Sequence, residues 1–100
     1  INPKETKNNL EEIIKIAKNK NIKVVIAGMI APNSYGSVYK KSFDKIFSDL
    51  SKKYKLQLIP FLLEGVAQKP EFNLSDGMHP NDQGTIIIGN TLKKAILENL

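Results

Sequence analysis

The sequence predicts an α/β fold, a parallel sheet flanked by helices, with three helices and two strands in 100 residues. Two observations carry this. Amphipathic helical repeats alternate with short apolar runs along the whole chain. The first of those runs, Val24-Val25-Ile26-Ala27, shows no polar alternation, as expected of a parallel strand covered on both faces. A composition of 41% hydrophobic and 25% charged residues is that of a globular chain and excludes disorder.

The first helix starts from Asn2, a good N-cap. Pro3 suits the first helical position and Glu5 sits at capping-box spacing. Leu10, Ile13, Ile14 and Ala17 repeat at i, i+3, i+4, i+7 and define its buried face. The polar run Asn19-Lys20-Asn21 ends it, and the strand Val24–Ala27 follows, closed by Gly28. Met29 to Gly36 is a loop marked by Pro32, Asn33, Ser34 and Gly36. Tyr39, Phe43, Ile46, Phe47 and Leu50 form the inward face of a second helix. Leu56 to Ile59 is a second short strand, stopped by Pro60. Residues 60–80 hold three of the five prolines and read as irregular. A last helix starts near Asn81 and carries Ile88, Leu92, Ala95, Ile96 and Leu100 on one face.

Two strands make a marginal sheet by themselves. Residues 1–100 are therefore expected to be the C-terminal part of one larger α/β domain; a complete small α/β/α domain is the alternative. Without cysteine there is no disulfide, thiolate zinc site or cysteine nucleophile. No apolar run reaches the roughly 20 residues of a bilayer span, and no signal peptide is visible. The net charge is +5, but all 15 basic residues are Lys, without the bidentate fork of Arg. They are scattered between apolar helical positions and read as a solvated surface. A nucleic-acid or anionic-membrane face is the other reading.

One constellation has the pattern of chemistry: Ser75-Asp76-Gly77-Met78-His79-Pro80. His79 is the only histidine, and Asp76 lies three residues before it with Gly77 free to turn. In a tight turn the carboxylate can fold back on the imidazole, hold the Nδ1–H tautomer and leave Nε2 as a general base. The bland reading is an Asx-turn and a helix entry. Metal ligation by His79, Asp76 and either Glu64 or Asp82 is weaker still. A histidine base needs a nucleophile, and none of Ser34, Ser37, Ser42, Ser48, Ser51 and Ser75 lies in a Gly-x-Ser-x-Gly elbow. If His79 is a base, its nucleophile is expected upstream of residue 1.

The run Asp76-Gly77-Met78-His79-Pro80-Asn81 resembles the last conserved block of the SGNH (GDSL) hydrolases. Ala31-Pro32-Asn33-Ser34-Tyr35-Gly36, and Leu58 to Val66, resemble further segments of the bacterial thioesterase I/arylesterase subgroup. The resemblance implies a three-layer, flavodoxin-like α/β/α fold and a Ser-His-Asp triad to which this chain supplies Asp76 and His79. The family's Gly-Asp-Ser block and its Gly and Asn oxyanion donors have no counterpart here. The chain alone is therefore expected to be inactive. The intact domain is expected to hydrolyse an ester or thioester without a cofactor. Tyr35, Phe61, Leu62, Leu63, Val66 and Met78 lie in loops expected to surround the site, and Tyr35, Phe61, Leu62, Val66 and Met78 are the candidate substrate-binding residues. Expected partners are an acyl substrate and the rest of the domain, or a second copy if the chain stands alone. The resemblance favours a periplasmic or secreted location, with the cytoplasm as the alternative. A non-catalytic flavodoxin-like binding module is the competing class.

Overall fold

A computed structural model describes residues 2–98, in two compact units, Ile1–Pro60 and Phe61–Leu100. The order in the first is α1 (Pro3–Asn19), β1 (Val25–Ala27), a 3-10 turn (Asn33–Tyr35), α2 (Ser37–Tyr54) and β2 (Gln57–Ile59). The second holds a 3-10 turn (Pro70–Phe72) and α3 (Asp82–Glu98). No described helix is long and apolar enough to cross a membrane.

Asn2 caps α1 as expected, its Oδ1 accepting from the backbone N–H of Lys4 at 2.8 Å. The helix ends where Asn21 takes a left-handed φ of 60°, a conformation Asn tolerates. The inward stripe is Leu10, Ile14 and Ala17, while Ile13 is 62% exposed. At about 100° per residue Ile13 falls at the margin of that stripe, so the expected face is narrower by one residue.

The strands are parallel, with Val25 opposite Gln57, Ile26 opposite Leu58 and Ala27 opposite Ile59. Beyond them the backbones stay close: Gly28 N–H donates to Ile59 O at 2.7 Å. A Cβ at Gly28 would lie 2.3 Å from Pro60 O, so only glycine fits. Ile14 of α1, Ile26 of β1 and Ile46, Phe47 and Leu50 of α2 form one buried cluster. Both helices therefore cover the Ile26 side of the strand. Val25 and Ala27, which alternate with Ile26, are half-buried in this chain. The rings of Tyr39, Phe43 and Phe47 run along α2, and Tyr35 of the preceding 3-10 turn continues the row, with successive centroids from Tyr35 onward 5.2, 6.1 and 5.5 Å apart.

In the second unit, segment 60–80 is less irregular than the sequence suggests, because Asn73 and Pro80 form an antiparallel bridge. Gly84, in the first turn of α3, lies against the preceding 3-10 turn: a Cβ there would meet Phe72 O at 2.2 Å. Along α3, Gly84 and Ala95 are buried and Ile87, Ile88 and Thr91 half-buried. Leu92 and Ile96 are exposed, which corrects the expected stripe. Leu92 and Ile96 are rotated by about 80–120° from Gly84, because close approach there requires the small residue and turns that side inward. Leu100 lies outside the described residues.

Candidate active site

The chemistry-bearing turn is built from backbone outward. Leu74 N–H donates to His79 O at 2.8 Å and Gly77 N–H to Leu74 O at 2.9 Å. Gly77 makes the reversal with φ +69°, where a side chain would be strained. This brings the carboxylate of Asp76 back over residues 78 and 79. Its Oδ1 accepts from the N–H groups of Met78 and His79 at 2.9 and 3.1 Å. Its Oδ2 meets His79 Nδ1 at 2.6 Å. The turn is thus an Asx-turn and a carboxylate–imidazole pair at once, and the two readings of the motif are not exclusive.

The pair is open to solvent, with the Asp76 side chain 44% and that of His79 72% exposed. Asp76 is lowered to a pKa of about 2, first by the hydrogen bond from His79 and then by the two backbone N–H groups. It therefore accepts from Nδ1–H as a carboxylate over the whole neutral range, which fixes the tautomer and turns Nε2 outward as the basic nitrogen. Among the described residues no three His, Asp or Glu side chains converge as a metal ligand set.

Met78, in the same turn, is 76% exposed, and Phe61 and Leu62 are half-buried in the turns that open this unit. Val66 is 1% exposed and lies beside Gly84. It is a packing residue with no surface left for a ligand, which corrects its place among the substrate contacts. Tyr35 belongs to the first unit, 61% exposed, its ring edge-on to Tyr39. Ser48 and Ser51 spend their hydroxyls on the α2 backbone, donating to Lys45 O and Ser48 O. Beside the turn runs a cleft of about 370 Å³, lined by Lys69, Asn73, Leu74, Ser75 and Gly77 among others. Asn73 was not singled out by the sequence reading. Its Nδ2 donates to Val66 O and Lys69 O at 2.9 and 2.8 Å, tying down the entry to the turn. The usable signal is an asparagine eight residues past Gly65, a spacing too common to single it out.

The family model of GDSL-like lipase/acylhydrolases matches residues 2–92. The chain belongs to that family. An arylesterase of Vibrio mimicus is 32% identical over 98 residues, which are 98% of this chain and 49% of that protein. Thioesterase 1/protease 1/lysophospholipase L1 of Escherichia coli K12 is 30% identical over 94% of this chain and 45% of its own length. Among solved structures, TesA matches with a TM-score of 0.90 and 25% identity, over 100% of this chain and 56% of that one. The SGNH-hydrolase esterase AlinE4 matches with a TM-score of 0.73 and 32% identity, over 100% and 53%. The chain thus spans about half the length of the GDSL relatives it matches. Its three helices and two-stranded parallel sheet are a portion of the SGNH hydrolase fold.

Proposed function

We propose that Asp76 and His79 are two members of a Ser-His-Asp triad in an ester or thioester hydrolase, and that residues 1–100 are the C-terminal part of its single catalytic domain. The serine and the oxyanion donors then belong to the part that precedes residue 1. The observation that supports this best is the 2.6 Å contact of His79 Nδ1 with a carboxylate whose other oxygen is held by two backbone N–H groups.

On this reading the serine Oγ attacks the acyl carbon while His79 Nε2 takes its proton. The imidazolium, stabilised by Asp76, returns that proton to the leaving alcohol or thiol as the acyl-enzyme forms. Water then attacks the acyl carbon, His79 again accepting the proton and returning it to the serine. No step needs a cofactor. Phe61, Leu62 and Met78 offer apolar surface to an acyl chain. Relatives named as arylesterase, thioesterase and lysophospholipase make acyl esters and thioesters the substrate class to test.

The test is hydrolysis of a p-nitrophenyl ester and an acyl-CoA by the full-length protein and its His79→Ala variant. Loss of turnover by several powers of ten in the variant is expected, with fluorophosphonate labelling of a serine preceding residue 1. Wild-type turnover in His79→Ala would overturn the triad. Residues 1–100 alone are expected to show no turnover, since nucleophile loss alone costs about 10⁶ and each oxyanion donor about 10²–10³.

A further inference from the structure

The Asp76–His79 pair lies on the surface. Both side chains are substantially exposed, so the turn that carries them must be held from its stem. The stem ends on one side chain, that of Asn81. Its Nδ2 donates to Glu71 O at 2.9 Å and to Asn73 O at 3.3 Å. Its Oδ1 accepts from Gly84 N–H at 2.9 Å, and its backbone N–H donates to Phe72 O at 3.0 Å. One amide therefore joins the 3-10 turn, the strand entering the Asp76 turn and the first turn of α3, with both amide hydrogens and the oxygen engaged.

An N-cap needs only the acceptor. Asp and Ser cap a helix about as well as Asn. The two donor contacts exceed what capping requires: one goes to the 3-10 turn and one to Asn73, where the chain enters the turn that carries Asp76 and His79. On the triad reading above, we infer that Asn81 is a positioning residue, holding the Asp76–His79 turn at a fixed angle to α3 without touching substrate. Its amide donors set where His79 Nε2 stands. Its oxygen serves the helix.

Asn81→Asp separates the two roles. It keeps the cap acceptor and places a carboxylate oxygen against the carbonyls of Glu71 and Asn73. Asn81→Ser keeps a cap and removes the donors without adding charge. In the full-length protein, Asn81→Asp is expected to lower kcat on the order of 10²-fold with KM little changed, as for a misplacement of about 1 Å. The low-field Nδ1–H proton resonance of His79 should weaken or shift in the same variant. Asn81→Ser should move both readouts in the same direction by less. Wild-type kcat and an unmoved resonance in both variants, whatever happens to thermal stability, would show that Asn81 is a helix cap only. If Asn81→Asp does not fold, Asn81→Ser decides. The two ideas fail separately: hydrolysis surviving His79→Ala removes the triad, while the resonance still reports whether Asn81 holds the turn.

Discussion

A 2.6 Å contact between two exposed side chains persists only where the backbone delivers them to each other. Asp76 is so delivered, by the left-handed Gly77 and by two N–H groups on its Oδ1. Its charge follows from those contacts. The folded-state value is about 2 against an ordinary 3.8, so the stabilisation is fully present above 3.8 and is lost as pH falls through about 2. Carboxyl NMR should find the Asp76 midpoint near 2, moving up toward 3.8 in His79→Ala. A midpoint unchanged by that substitution would remove His79 as the main cause. Asp76→Asn keeps the shape but offers the wrong group to Nδ1–H. On the proposed triad it should cut the kcat of the full-length protein about 10⁴-fold, with the fold intact by circular dichroism.

At the scale of elements, α3 carries its own control. Glycine inside a helix is ordinarily worse than alanine by about 0.5–1 kcal/mol. Gly89→Ala should gain about that much, because its Cβ would meet nothing within 4 Å. Gly84→Ala should reverse the sign, because its Cβ would sit 2.2 Å from Phe72 O and 3.2 Å from Val66 Cγ1. Overpacking of that kind costs about 1–3 kcal/mol. Urea midpoints of the two variants, moving in opposite directions, are the expected result. Between α1 and α2 a polar contact adds to the apolar cluster: Glu11 accepts from Lys53 Nζ at 2.6 Å and from Tyr54 Oη at 2.7 Å. These donors hold Glu11 at about 2 instead of 4.5. The melting temperature should therefore exceed that of Glu11→Gln above pH 4.5, and the gap should close as pH falls toward 2.

For the molecule as a whole, the two-stranded sheet and the exposed Ile13, Ile16, Ile22, Ile86, Ile96 and Leu97 define what residues 1–100 do when produced alone. Apolar surface of that extent drives association. Sedimentation is expected to give more than 11.2 kDa, with binding of a hydrophobic dye, and a dye-free monomer would contradict it. Among the described residues Lys40 pairs with Asp44, Lys45 with Asp49 and Lys53 with Glu11. The sequence by itself determined the fold class, the three helices and the Asp-x-x-His turn, because helical periodicity, caps and a glycine-centred turn act over a few neighbouring residues. It also carried the family, through the block Asp76 to Asn81. The tertiary structure alone decided which apolar residues face inward. Ile13, Leu92 and Ile96 fit a helical stripe as well as the residues that are buried, and Val66 fits a ligand-facing loop as well as a core. Only packing partners distant in sequence break such ties. The same holds for Asn81, a cap by its neighbours and a clamp on the Asp76–His79 turn only once Glu71 and Asn73 stand beside it.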